Sequence, residues 1–451
     1  MPRLPCGALP WQLPSKDRPN TLADQQESKP SNMPLAFTPT PAPALQADVL
    51  IIGGGAAGIG VAASLRRRRP QLAITIIEPS DVHYNQPAWT LVGGGAFDAE
   101  DTVRQTDALI PAGVERIRAR ATHVDAHAHQ VALDDGRVVR YGQLIVCPGL
   151  RLAWERIEGL EAALGQHGVT SNYRFDLAPY TWSLVRSLRS GRALFTQPAM
   201  PIKCAGAPQK AMYLACDHWR RTGVLDRIDV EFNLTGTALF GVEAFVPPLM
   251  RYVERYRAKL AFGSTLVAVD GQARTAWFES KNAAGEVIRT AKRFDMLHVV
   301  PPQVPPAFIA DSGLGDAAGW CEVDPATLQH VRHADVFSLG DACSTPNAKT
   351  AAAVRKQALT VAENLLAHRA GQPLPTRYDG YGGCPLTVER GKVVLAEFGY
   401  GGKLLPTFPL VPTVARKSAW WLKTTVLPWV YWNGLLKGRE WLARPSAPQE
   451  R

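Results

Sequence analysis

The chain has 451 residues, 46% of them apolar and 20% charged, and 50 Lys+Arg against 40 Asp+Glu give a formal charge of +10. These values belong to a folded globular protein and exclude intrinsic disorder, a collagen-like repeat and a disulfide miniprotein. Seven scattered cysteines do not make a secreted disulfide framework. The basic excess suits nucleic acid, an anionic membrane surface or an anionic substrate, and by itself chooses none of them.

Residues 1–46 hold ten prolines and almost no apolar periodicity, which reads as a flexible extension. Asp17, Asp24 and Glu27 speak against a transit peptide, and no basic-then-apolar secretory signal precedes them. Met33 is an alternative start. From Asp48 the pattern changes. An apolar β run at 49–52 leads into Gly53-Gly54-Gly55-Ala56-Ala57-Gly58, then a helical stretch, then a second β run at 72–77 closed by Glu78. This βαβ context is what gives a Gly-x-Gly-x-x-Gly its meaning. Gly53 permits the tight turn, Gly55 lets a pyrophosphate approach the backbone, and Gly58 lets helix and strand pack closely. Glu78 lies 20 residues beyond the last glycine, where a carboxylate reaches an adenosine ribose.

Later segments alternate in the same way, with β runs at 131–133, 144–146, 193–195 and 230–234 and helices after Pro208 and Lys349. The expected fold is α/β, with two Rossmann-like doubly wound dinucleotide-binding domains. The first takes residues 47–160 and 300–375, and the second takes 161–299. Residues 376–451 are expected to form a separate C-terminal region.

A β run ending in Gly340-Asp341, followed by a helix opening near Lys349-Thr350, matches the second half of an FAD site. The positive helix end favours an anionic reduced flavin ring. Gln86, Ala121 and Gly149 complete the expected FAD contacts, and no metal is expected. In the middle of the chain the second glycine fingerprint of nicotinamide-using relatives is missing. The β run at 193–196 leads instead into Gln197-Pro198-Ala199-Met200-Pro201, where prolines remove N–H donors. The reductant is therefore expected to be something other than a nicotinamide.

Cys204 precedes a helix and follows Lys203, both of which lower a thiol pKa. Cys384 stands in a Gly-rich stretch read as a turn-rich loop. For an arbitrary cysteine the ordinary role is a small buried apolar residue. The segments Lys203-Cys204-Ala205-Gly206-Ala207-Pro208-Gln209-Lys210, Lys349-Thr350-Ala351-Ala352-Ala353-Val354, His83-Tyr84-Asn85-Gln86-Pro87 and Cys384-Pro385-Leu386 resemble sulfide:quinone oxidoreductases, in particular the mitochondrial-type branch also found in bacteria. The likeness runs from about Asp48 to Trp441.

The resemblance implies a redox pair, Cys204 with Cys384, joined as a disulfide or bridged by sulfur. Hydrogen sulfide attacks it, a persulfide forms on Cys384, and Cys204 passes electrons through FAD to a quinone, ubiquinone in the first instance. The sulfane sulfur leaves to an acceptor: glutathione, sulfite or polysulfide. Residues 387–391 and the N-terminal extension depart from the family pattern, which bears on the acceptor. Cys6, Cys147, Cys216 and Cys321 lack an activating context, and Cys343 lies near the expected FAD.

Five of the twelve tryptophans fall between Trp420 and Trp441, flanked by Arg416, Lys417, Lys423, Lys437 and Arg439. Residues 424–436, read as a helix of roughly 20 Å, cannot cross a bilayer core of about 30 Å. Aromatic residues with basic flanks suit the lipid interface, so the expectation is peripheral attachment to a bacterial or mitochondrial inner membrane. The structural alternative is a Trp-rich core or dimer contact, and a homo-oligomer is compatible with the sequence. Phe398 and Tyr400 are candidates for the quinone wall. Removing residues after Arg416 is expected to spare the sulfide half-reaction and abolish quinone turnover. Rival readings are an NADH:quinone-type flavoprotein reductase, a sulfide dehydrogenase with a cytochrome acceptor, and a flavin-binding scaffold without turnover. No basic-aromatic platform for nucleic acid is visible.

Overall fold

The computed structural model describes residues 45–443. The expected extension at 1–46 lies outside them except for Leu45 and Gln46, which open the first strand.

Two parallel sheets form the frame. In the first, the strands run in the order Val114–Ile117, Ile74–Ile77, Leu45–Ile52, Val138–Val146. Strand Val336–Ser338 joins beside the last residues of Val138–Val146, pairing Val336 with Leu144. The first residues of that same long strand pair antiparallel with Gln130–Leu133, which pairs with Ala121–Asp125. Burial on both faces explains why the central strands read as unbroken apolar runs. Val49, Leu50, Ile51, Leu144 and Ile145 are all fully buried.

The second sheet is also parallel, in the order Val169–Thr170, Met296–His298, Gly191–Gln197, Ile228–Leu234, Lys259–Phe262. An antiparallel three-stranded sheet, Thr265–Asp270, Thr275–Lys281 and Val287–Arg293, interrupts it. The sequence reading did not anticipate this insertion.

A hairpin, Gly382–Glu389 with Lys392–Phe398, sits against both units. Cys384, Leu386, Val388, Val394 and Ala396 join the core of the second unit around Phe195, Met212 and Tyr213. Gly383, next to Cys384, faces the start of helix Ala351–Arg369, where an added Cβ would lie 3.1 Å from that of Ala352.

The C-terminal segment is one helical run from Lys417 to Asn433, with a π-helical turn at Leu422–Val426. It starts seven residues earlier than the sequence suggested. Its end folds back onto helix Ala56–Arg68. Glu440 accepts hydrogen bonds from Ser64 and Arg68, and Gly438, at φ +62°, lies where a Cβ would meet the Ala63 backbone at 2.6 Å. Among the described residues no helix is long and apolar enough to cross a membrane.

Candidate active site

The dinucleotide fingerprint adopts the geometry its glycines require. Gly53 has φ +105°, and a Cβ there would meet the Cys147 carbonyl at 2.5 Å. A Cβ on Gly58 would lie 1.8 Å from the Gly53 carbonyl oxygen, so any side chain would push helix and strand apart. Over Gly55 and Gly149, by contrast, nothing lies within 4 Å of a built Cβ. Gly55 caps helix Ala56–Arg68 without a side-chain bond, which leaves the first amides aimed outward, as anion binding needs. Glu78 accepts from the Gly54 and Ser80 amides, each at 2.7 Å. Ala121 is buried in the cluster that contains Ile77 and Ile117.

The other half of the site comes from Gly340-Asp341 and helix Ala351–Arg369. Gly340 has φ +77° and donates its amide to Gln357. Burial raises the Asp341 pKa, opposed by the charges of Lys349 and Lys203. Lys349 donates to the Cys343 carbonyl and stacks its ammonium 4.3 Å over Trp320. Thr350 caps the helix, its hydroxyl accepting from the Ala353 amide. Lys203 bonds Gln86 at 2.5 Å. Two helix N-termini, an open glycine turn and a carboxylate on each side of one crevice fit FAD, whose pyrophosphate and flavin ring need these donors.

Cys204 and Cys384 meet beside this crevice. Their sulfurs are 3.7 Å apart although 180 residues separate them in sequence. Cys204 sits in the loop between strand Gly191–Gln197 and helix Ala207–Arg221. A nicotinamide-binding unit carries its glycine turn at that place. The loop is held by the Cys204 amide donating to the Lys349 carbonyl at 2.8 Å and by the Lys203 amide donating to Gln303. Cys204 itself has φ +49°, a conformation uncommon for a non-glycine residue and concentrated at functional sites. Gly206 leaves room for the partner: a Cβ there would lie 2.6 Å from the Cys384 sulfur.

The pair is electrostatically unequal. A hydrogen bond from the Cys384 thiol, together with the charges of Lys210 and Lys423, holds the Cys204 thiol well below its ordinary range despite burial. That same bond and burial push Cys384 up. The asymmetry favours the thiolate on Cys204 and the thiol on Cys384.

Several expectations change. The cation on Cys204 is Lys210, with Nζ 3.1 Å from the sulfur and the side chain 1% exposed; Lys203 points to Gln86 instead. Cys384 is in a strand and 2% exposed, because Gly383 and Pro385 serve close packing and an edge position there, not a turn. Lys423, read from sequence as a flanking surface charge, is 6% exposed and acts on both cysteines. Truncation after Arg416 therefore removes a charge from the sulfur site as well, and it bares the face of helix Ala56–Arg68 that Leu435 covers at Gly60. The signal for Lys423 in the sequence was only its place amid apolar and aromatic neighbours. Phe398 and Tyr400 are not brought together: Phe398 packs on Phe240 and Phe245, while the Tyr400 hydroxyl donates to the Pro325 carbonyl.

Of the other cysteines, Cys147 and Cys216 are pushed up by burial, and Cys321 to about 12. Cys343 is buried and donates to the Gly340 carbonyl. Cys6 lies outside the described residues. Among the described residues no group of three His, Cys, Asp or Glu side chains could hold a metal. A cavity of about 410 Å3 opens beside the Cys204 loop, lined by Tyr84, Gln86, Trp89, Tyr173, Arg174 and Lys203.

Comparison with known proteins agrees with this arrangement. Residues 47–197 match the pyridine nucleotide-disulphide oxidoreductase family. The chain is 39% identical over 394 residues to the mitochondrial sulfide:quinone oxidoreductase of Dictyostelium discoideum, covering 87% of this chain and 86% of that one. It is 36% identical to the mouse mitochondrial sulfide:quinone oxidoreductase, with the same coverage of each. The fold matches the sulfide:quinone oxidoreductase of Aquifex aeolicus with a TM-score of 0.71 at 19% identity, over 88% of this chain and 92% of that one. The chain belongs to the sulfide:quinone oxidoreductase family of FAD-dependent flavoproteins.

Proposed function

We propose that the chain oxidises hydrogen sulfide at Cys204 and Cys384 and delivers the electrons to a quinone. The observation that carries this reading is the 3.7 Å approach of two sulfurs from distant segments, with Lys210 bonded to one of them. In the oxidised pair, hydrosulfide attacks Cys384, the sulfur–sulfur bond breaks, and its electron pair leaves on Cys204. The lower-pKa thiol is the better leaving group, and the asymmetry described above makes that Cys204. Lys210 then holds the thiolate. The persulfide stays on Cys384 until a sulfur acceptor (glutathione, sulfite or polysulfide) enters, and the cavity beside the Cys204 loop, which carries Arg174 and Lys203, suits an anionic acceptor. FAD, when bound, supplies the two-electron carrier between the thiol chemistry and the quinone. Gly53, Gly54, Gly55, Gly58 and Glu78 hold its adenosine and pyrophosphate end. Gln86, Ala121, Gly149, Gly340, Asp341, Lys349 and Thr350 line the rest.

The C-terminal side chains support attachment to the inner membrane surface of a bacterium or mitochondrion. Phe408, Leu410, Val411, Val414, Trp421 and Trp429 are all exposed, a concentration of apolar surface that a water-exposed face rarely carries. Basic neighbours add attraction to anionic headgroups. A quinone dissolved in lipid then reaches the protein at this face, with Phe398 and Tyr400 as internal supports of the hairpin edge.

The test is anaerobic mixing of the holoenzyme with sulfide or with NADH while flavin absorbance is followed. Sulfide bleaches the flavin and NADH does not; the reverse result overturns the reading. Cys204→Ser and Cys384→Ser each abolish sulfide-dependent quinone reduction, and either one retaining full rate removes the cysteine mechanism.

A further inference from the structure

At the C-terminal end of helix Ala56–Arg68 lies a second cavity, of about 310 Å3. The helix lines it with Arg66 and Arg67, the loop before strand Val114–Ile117 with Ile110 and Pro111, and the C-terminal segment with Leu436 and Lys437. Three cations thus converge on one space, and among the described residues no carboxylate lines it. The next arginine, Arg68, is neutralised by Glu363 and Glu440. Arg66, Arg67 and Lys437 have no such partner among the described residues. The Arg66 guanidinium donates to the carbonyls of Pro70, Ala112 and Leu72, the last two at 3.2 Å each. These bonds fix its place without cancelling its charge. A helix C-terminus favours cations through its dipole, which accounts for the arginines. It does not account for a lysine brought to the same space from the far end of the chain. Like charges around one cavity repel, and an anion between them relieves the repulsion.

The cavity borders the apolar face of the C-terminal segment. Lys437 ends the turn Leu435–Lys437, which follows Gly434. A Cβ on Gly434 would lie 3.5 Å from the Trp441 ring. Trp441 stacks on Trp429, and the two are 45% and 52% exposed. The tryptophan pair and the three cations therefore flank one turn.

We propose that this cavity binds the phosphate of an anionic membrane lipid, with the tryptophan pair seated in the interface beside it. The proposal rests on the membrane-surface reading above and names the lipid group that surface takes. Arginine donors match the oxygens of a phosphodiester, and Lys437 adds a point charge. Ile110, Pro111 and Leu436 offer apolar contact to the glycerol carbons. Basic pockets beside membrane-associated segments take lipid head groups in this way. A soluble phosphoglycerol shares the chemistry of the head group. The lipid is favoured because exposed tryptophans border the cavity, and a ligand arriving from water has no use for them.

The experiment floats the full-length holoenzyme with vesicles of phosphatidylcholine, alone or mixed with phosphatidylglycerol. One variant carries Arg67→Gln with Lys437→Gln. A second, Lys281→Gln with Arg293→Gln on the three-stranded insertion, loses the same charge from exposed positions elsewhere. Arg66 is kept because it ties the loop at Ala112 to the helix. The unaltered protein prefers the anionic vesicles. The first variant loses about 30-fold in affinity for them, the scale of two cations at a membrane surface. The second loses less than about threefold, since charges away from that surface are screened. Equal losses in the two variants overturn the proposal in favour of net charge, and full retention in the first overturns it as well. Should the first variant not retain FAD, Lys437→Gln alone is read by the same criteria, with a loss of about fivefold. Calorimetric titration with glycerol 3-phosphate separates lipid from soluble occupant. Heat that anionic vesicles remove, or no heat at all, supports the lipid; heat undiminished on vesicle-bound protein overturns it. Equal flotation of the unaltered protein with both vesicles overturns the head-group site alone. Flotation with neither is a different result, and it overturns the membrane-surface reading itself.

Discussion

The Tyr431 hydroxyl lies 2.7 Å from Nε2 of His83, whose Nδ1 faces the Gly54 carbonyl at 3.3 Å. Because a carbonyl can only accept, Nδ1 carries the hydrogen and donates to Gly54. Burial holds the ring neutral, with its pKa drawn down to about 4, and the Tyr431 hydroxyl shares its hydrogen between Nε2 and the Tyr84 carbonyl 3.2 Å away. The C-terminal helical segment is thereby bonded, through one imidazole, to the glycine turn of the dinucleotide fingerprint.

Burial of His83 and of two other histidines predicts an acid lability. His83, His298 and His330 are each held down to about 4, below the value of about 6.5 in the unfolded chain. Between those values the unfolded state binds more protons, so stability falls as pH drops from 6.5 to 4. The melting temperature should decline progressively across that window. Tyr431→Phe should lower stability at neutral pH as well, by about 1–3 kcal/mol for the unpaired buried nitrogen, read from denaturant unfolding.

Gly206 is the spacer that lets the two sulfurs meet. Gly206→Ala places a methyl group 2.6 Å from the Cys384 sulfur and 2.2 Å from the Leu386 side chain. The expected outcome is an FAD-loaded protein whose sulfide-dependent bleaching is slowed about 100-fold, since displacement by an ångström at a reacting centre has that scale of effect. Stopped-flow absorbance measures it.

Lys210 sets the nucleophile. Lys210→Met removes the cation bonded to Cys204, and the pH at which iodoacetamide captures that thiol should rise by about 1–3 pH units. No change in the alkylation profile would assign the low Cys204 pKa to Cys384 and Lys423 alone.

Trp429 and Trp441 stack in parallel with ring centres 5.5 Å apart, both exposed. Trp429→Ser with Trp441→Ser should weaken flotation with anionic vesicles by about tenfold or more, given the apolar area removed, and leave sulfide bleaching in solution unchanged. Raised salt should weaken the unaltered protein's binding in the same assay.

Much of the first unit was legible because its determinants are local. Gly53, Gly55, Gly58 and Glu78 lie within 26 residues, and strand–turn–helix periodicity announces them. The helix start at Thr350 was legible for the same reason. The sulfur site was not, since nothing in the spacing of Cys204 and Cys384 records a contact across 180 residues; only the family resemblance paired them. Lys203 and Lys210 exchanged roles because a helical turn brings position 210 back over Cys204, while the side chain at 203 faces away. Lys423 was misread since a lysine near tryptophans ordinarily lies at a wet surface, and its π-helical turn has no sequence signature. Cys384 was placed in a loop because glycine and proline are read as turn formers, whereas here they serve an edge strand pressed against Ala352.

The first sheet takes strand Val336–Ser338 beside Val138–Val146, and its first helix is covered in part by Leu435, Gly438 and Glu440, all from segments far along the chain. A ribosome releases these pieces in the opposite order from the one assembly needs. The unit synthesised early waits, with an open sheet edge and part of its helix uncovered, for these later segments. Completion of the nucleotide-binding unit is therefore expected only after residues 336–338 and 435–440 have been made.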